Sequence, residues 1–248
     1  MFIYAVINAS PDSLNADSIV EGPQQALARA RLLIEQGADG FDIGGQGSTD
    51  AASIAGVELE WERLAEVIPA VAALGRPVSV DTWSPIVARR AIEAGATVLN
   101  AADGMQSDEM WRLAAETEVP IVLPFLSGPN PREMERVTDD PVETMIEFFR
   151  DRLADADRFG CRERCILDPG TGFAPPQWPW EERYLYQRIV YSRLDELRVF
   201  DLPLYIAVPW KRTAQHDELL EIIVDQRPEY ARCHDPAHVL GVAAERGA

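Results

Sequence analysis

The sequence predicts a single (β/α)8 barrel spanning residues 1–248. Three observations predict it. Short apolar runs recur, and most end in a polar residue such as Asn8, Asp81, Asn100 or Asp168, the last followed at once by Pro169 and Gly170. Amphipathic stretches of helical period separate these runs, and the alternation repeats roughly eight times with no linker between halves. The length of 248 residues also suits one such barrel. A doubly wound parallel sheet is the alternative architecture, and it too places its chemistry at strand tips.

Residues 3–7 read as the first strand, and the polar loop 8–18 follows. A helix starts near Pro23, with proline in its first turn, and stops at Gly37. Its apolar face is Ala26, Ala30, Leu33 and Ile34. Residues 40–45 form the second strand and 59–74 a helix. Residues 78–81 form the third strand. Ser84 and Pro85 open the next helix as N-cap and first-turn proline, and Gly95 ends it. Residues 98–100 are the fourth strand, 108–117 a helix and 120–124 the fifth strand. Helix 141–160 turns Val142, Met145, Ile146, Phe149, Leu153 and Ala156 inward. The sixth strand, 165–168, is closed by Pro169 and Gly170. Residues 179–199 are mostly helical, 202–208 the seventh strand and 216–224 a short helix. Residues 230–235 are the eighth strand and its tip, and 236–246 the last helix.

Composition narrows the function classes. A net charge of −18 with no basic stripe excludes a nucleic-acid partner. No apolar run approaches the ~20 residues of a membrane span, so no membrane role is expected. The first apolar run has no basic flank and leads straight into Asn8, so it reads as a strand and not as a signal peptide. Three cysteines without metal-type spacing fit reduced thiols and a cytoplasmic location. Against such a negative field an anionic substrate needs local positive groups, which directs attention to Arg and Lys at strand tips.

In a barrel all strand tips share one rim. The tip residues are Asn8, Asp42, Asp81, Asn100, Asp168, Lys211, Arg232 and His234. Taken singly, each has an ordinary alternative as a cap or turn residue, Asp168 in an Asp-Pro-Gly bend among them. Taken together, carboxylates and an asparagine at one level make a floor of acceptors and amide donors. Such a floor suits a flat heterocycle with several N–H groups and ring nitrogens. A lysine opposite keeps the carboxylates ionised and adds a donor.

Six segments resemble, in order, the motifs of the dihydropteroate synthase family. They are Asn8-Ala9-Ser10-Pro11-Asp12-Ser13, Asp42-Ile43-Gly44-Gly45, Ser79-Val80-Asp81-Thr82, Gly95-Ala96 through Asn100, Ile166 through Phe173, and Arg232-Cys233-His234-Asp235. The resemblance implies a pterin-binding (β/α)8 barrel. It implies a transferase that joins 7,8-dihydropterin-6-ylmethyl diphosphate to p-aminobenzoate in folate biosynthesis, with Mg2+ assisting. It assigns substrate binding to Asp81, Asn100, Asp168, Phe173, Lys211 and Thr49. It assigns catalytic positions to Asn8, Lys211, Arg232 and His234, with Asn8 near the metal and Arg232 with His234 as the anion-binding pair. It also implies a homodimer contact in the 211–234 region.

The departures from the family fall mostly in one half of the site. Asp50 stands where the family has an arginine that grips diphosphate, although Thr49 is kept. In Pro209-Trp210-Lys211-Arg212 only the lysine of the family motif remains, and Arg212 replaces the serine that helps hold p-aminobenzoate. Asn15-Ala16-Asp17-Ser18 lacks the usual glycine pair, Ala101 follows Asn100 where Asp is usual, and Ala174-Pro175-Pro176 replaces Gly-Lys-Asn. The expectation is an intact pterin pocket under altered loops, with Arg212 as an electrostatic substitute for the missing arginine. The alternatives are a pterin-binding relative with a different second substrate and a non-catalytic partner protein. Methyl transfer from methyltetrahydrofolate to a corrinoid is a further relative's reaction, which the Pro-Asp-Ser and Asp-Pro-Gly-Thr-Gly-Phe motifs disfavour.

Overall fold

A computed structural model describes residues 1–13, 15–47, 55–173 and 178–247. Among these, eight parallel strands form one sheet: β1 (Phe2–Asn8), β2 (Gly40–Gly44), β3 (Val78–Thr82), β4 (Val98–Ala101), β5 (Ile121–Pro124), β6 (Cys165–Asp168), β7 (Tyr205–Ala207) and β8 (Tyr230–Cys233). They pair in the order β6-β5-β4-β3-β2-β1-β8-β7. A parallel bridge between Leu167 and Leu204 joins the two ends. There the Leu167 N–H donates to the Pro203 carbonyl at 2.9 Å. The predicted (β/α)8 barrel is thus observed.

Period-two alternation along the strands explains its layers. One set of positions faces the helices: Ala5, Ile7, Phe41, Ile43, Val80, Leu99, Leu123, Leu167 and Ile206 all join the main hydrophobic core. Burying a large apolar side chain there stabilises by roughly 1.5–3 kcal/mol. The other set faces the barrel axis. Tyr4, Val98, Val122, Ile166 and Tyr205 fill its lower part, with the Tyr4 and Tyr205 rings 5.7 Å apart. One layer nearer the strand C-termini the same alternation delivers Asp42, Asp81, Asn100, Asp168 and Arg232. The axis is therefore apolar below and polar at the mouth.

Helices α1 (Gly22–Glu35), α4 (Pro85–Glu93), α5 (Asp108–Thr117), α6 (Pro141–Arg158) and α9 (Pro236–Arg246) follow the expected pattern. Four elements differ from expectation. The single helix 59–74 is two, α2 (Val57–Leu64) and α3 (Val67–Ala72). Pro69 is the reason: a continuous helix would need its missing N–H at the Ala65 carbonyl, and its ring would clash there. In the first turn of α3 the missing donor costs nothing. Helix 179–199 ends early, as α7 (Trp180–Tyr191) followed by a 3-10 segment, Leu194–Phe200. The Ser192 hydroxyl donates back to the Arg188 carbonyl at 2.7 Å, and Arg193 is drawn aside to Asp140 and Glu196, 2.6 Å from each. The seventh strand is only three residues, because Pro203 and Pro209 bracket it without ladder donors. Helix α8 (Ala214–Asp225) runs slightly longer than predicted.

One buried charge stands apart from the mouth. Asp103 is 9% exposed and accepts the Met105 N–H at 3.0 Å. Burial pushes its pKa from 3.8 up to about 7. A carboxyl raised by folding adds stability that is full below the unfolded value, near 3.8, and is lost as pH rises through about 7. A shift of that size corresponds to roughly 4 kcal/mol. Asp103→Asn keeps the acceptor and removes the charge. Its melting temperature relative to wild type should rise between pH 4 and pH 8; a pH-independent difference would show that Asp103 does not carry this cost.

Candidate active site

The strand C-termini open into a cavity of about 420 Å³. Five predicted residues line it: Asn8, Asp81, Lys211, Arg232 and His234. Asn100 and Asp168 are buried behind that lining, 4% and 5% exposed, and Asp42 is fully buried. Phe173 is half-buried in a 3-10 turn after β6 and does not line the cavity. Thr49 and Asp50 lie outside the described residues.

Arg232 organises the polar layer. Its Nε donates to Asp42 Oδ2 at 2.5 Å and its Nη2 to Asp81 Oδ2 at 3.1 Å. The Asn100 amide donates to both Asp42 oxygens at 3.3 Å. Burial opposes the Arg232 charge, but the two carboxylates outweigh it and hold its pKa above the ordinary arginine value. Asp81 is pushed up to about 7, by burial first and then by Asp42, with Arg232 pulling the other way. Burial likewise raises Asp168 to about 7, against the Gly170 N–H that reaches its Oδ1 at 2.8 Å. That turn requires glycine: Gly170 has φ +65°, and a Cβ would sit 2.0 Å from the Phe125 carbonyl oxygen. Asp168 is thus both the turn residue of its bend and a buried, protonatable group. His234 falls to about 3, by burial and then by Arg232 and Arg29, so its ring is neutral at pH 7.

Asn8 spends its amide hydrogens on Ser13 Oγ at 3.0 Å and Ser18 Oγ at 2.7 Å. Its carbonyl oxygen is the group left for a cation. Among the described residues no three His, Cys, Asp or Glu side chains cluster as a metal site. Arg212 pairs with Asp235 at 2.8 Å, both about half exposed at the rim. Its charge is directed there and does not line the cavity.

On the opposite wall, Arg183, Gln187 and His216 were not foreseen. Trp180, Arg183 and Gln187 share one face of α7 and line the cavity with Trp210 and His216. The Trp180 and His216 rings stack, 4.2 Å between centroids and 5° from parallel. His216 Nδ1 lies 2.7 Å from Thr213 Oγ1, which also caps α8. The signal in the sequence is the spacing: Arg183 and Gln187 stand one turn apart on the stripe that ends in buried Val190 and Tyr191. A charged residue on a buried stripe marks a wall that faces a cavity.

The family model described as pterin binding enzyme matches residues 4–248. A dihydropteroate synthase of Synechocystis is 34% identical over 178 residues, covering 70% of this chain and 61% of that protein. The chain therefore matches about three-fifths of that relative's length. A dihydropteroate synthase type-2 of Escherichia coli is 30% identical, over 85% of this chain and 77% of its own. A Xanthomonas albilineans dihydropteroate synthase solved with 4-aminobenzoic acid superposes with a TM-score of 0.85 at 25% identity, covering 99% of this chain and 92% of that one. The barrel, its polar mouth and these matches agree: the chain belongs to the pterin-binding enzyme family, among the dihydropteroate synthases.

Proposed function

We propose that this protein is a transferase that joins 7,8-dihydropterin-6-ylmethyl diphosphate to p-aminobenzoate. The observation that carries the reading is a cavity lined by Asp81 and Lys211, with Asn100 and Asp168 buried behind that lining. In this reading the ionised Asp168 and Asn100 accept and donate to the pterin edge, and Lys211 donates to a ring acceptor. Asp81 faces the carbon where positive charge develops. The aryl amine's lone pair forms the new C–N bond, the C–O bond to diphosphate breaks, and diphosphate leaves with the electron pair. The amine proton passes to solvent.

His234, being neutral, offers a hydrogen bond to diphosphate but no charge. Arg232 is already matched by two carboxylates, so it orients more than it attracts. Mg2+ would supply the charge neutralisation that the leaving group needs. Asn8 fits it as a single carbonyl ligand, in keeping with a cation that takes most of its oxygens from water and phosphate. No helix among the described residues is long and apolar enough to cross a membrane. A homodimer belongs to the same proposal, and sedimentation velocity reads it.

The test is calorimetric titration with the dihydropterin diphosphate and Mg2+, then p-aminobenzoate, with assay of dihydropteroate. Binding with turnover is expected. Pterin binding without product would favour a relative with another second substrate or a non-catalytic role. Absence of pterin binding would remove the reading altogether.

A further inference from the structure

The cavity has two chemically different sides. Asn8, Ser10 and Ser13 make the side after β1 rich in oxygen and hydroxyl groups. The side built by α7 and the start of α8 carries Trp180, Arg183, Gln187, Lys211 and His216. Among the described residues Arg183 has no ion-pair or hydrogen-bond partner, and its Nε is buried. Lys211 likewise has no carboxylate partner there; its ammonium lies 5.6 Å from the Trp210 ring centre. In a chain of net charge −18, with Arg232 neutralised by two carboxylates, these are cavity-lining cations that no carboxylate pairs among the described residues.

Arg183 and Lys211 line the same cavity as His216. Burial and then the charges of Lys211 and Arg183 depress the His216 pKa, with Asp217 pulling the other way. Gln187 sits one turn beyond Arg183, 93% buried by its 7% exposure. Its amide donates to the Thr171 carbonyl at 3.1 Å, while its Oε1 has no partner. Unpaired buried polar groups are costly and call for an occupant. The wall beside them is the stacked Trp180–His216 pair.

We propose that Arg183 binds the carboxylate of the second substrate, and that the Trp180–His216 stack forms the wall for its aryl ring. The inference rests on the transferase reading and names the anion subsite within it. A forked guanidinium suits a carboxylate in two-point contact. The same chemistry could serve the diphosphate. The aromatic wall favours an aryl acid, whereas the oxygen-lined side after β1 suits hydrated phosphate and its cation. Arg183 is therefore a specificity residue carried by a helix, at a wall where the strand-tip position 212 points its charge away to Asp235.

The experiment measures Arg183→Met and Arg183→Lys against wild type. Readouts are KM for each substrate and direct calorimetric binding of p-aminobenzoate to enzyme holding pterin, diphosphate and Mg2+. The uncharged analogue 4-aminobenzamide is run in parallel, and thermal melts confirm folding. Arg183→Met should raise KM and Kd for p-aminobenzoate about tenfold to a hundredfold. It should leave 4-aminobenzamide and the pterin diphosphate within about threefold. Arg183→Lys, which keeps the charge and loses the fork, should fall between. Unchanged p-aminobenzoate parameters in a folded, active Arg183→Met enzyme would overturn the subsite while leaving the transferase intact. A KM rise confined to the pterin diphosphate would assign Arg183 to the diphosphate and overturn it as well. Aminobenzoate binding that depends on Arg183 without turnover would support the subsite and defeat the transferase reading.

Discussion

Asp168→Asn should weaken dihydropterin binding by about 1–3 kcal/mol, the value of a hydrogen bond to a charged partner. The side chain is 5% exposed, so solvent cannot replace the lost contact. Asparagine keeps an oxygen for the Gly170 N–H, which holds the bend at 2.8 Å, so the fold should survive. The pH dependence separates this from a packing effect. Burial places the Asp168 pKa at about 7, and the pterin N–H groups need the ionised form. Wild-type affinity should therefore fall as pH drops below about 7, while that of Asp168→Asn loses this component and is flatter. Calorimetry from pH 5.5 to 8.5 reads both. Equal affinities across that range would remove Asp168 from the pterin contact.

Arg232→Met should cost about 3–5 kcal/mol of stability, the loss seen when one partner of a buried ion pair is removed. The cost comes from Asp42, which has no exposure, and from Asp81, left facing each other without the guanidinium. Protonation relieves such a pair, so the loss should be larger at pH 8 than at pH 5. Urea unfolding at both values measures it. Adding Asp42→Asn should recover a large part of the loss, since the remaining amide can be paired by Asn100. A double variant no more stable than Arg232→Met would show that the Arg232–Asp42 contact does not carry the coupling.

Much of the architecture was legible because its causes are local. A run such as Cys165–Asp168 is recognisable from its apolar stretch and from the Pro169-Gly170 turn that must follow. Ser84-Pro85 announces a helix by capping chemistry alone, and the Ser84 hydroxyl does accept the Val87 N–H. Pro69 was equally visible, yet whether it broke or merely began a helix depended on how the chain packs around it. Asn8, Asp81, Lys211, Arg232 and His234, singled out by their place at strand ends, line the cavity. Phe173 was read toward the cavity from its motif and instead lies in the turn beside it.

By itself the sequence determined the alternation of strands and helices, the polar level at the barrel mouth and the family motifs that run through it. These follow from residue periodicity and turn chemistry, which act over a few positions. Tertiary structure alone decided who pairs with whom. Arg232 meets Asp42 across 190 residues and Asp81 across 151 because β8 lies beside β1 and the barrel turns all three inward. It also decided that Arg212 turns to the rim while Arg183 and Gln187 turn to the cavity. Those orientations depend on how α7 and α8 pack against the closed barrel, and no short-range pattern specifies the partners.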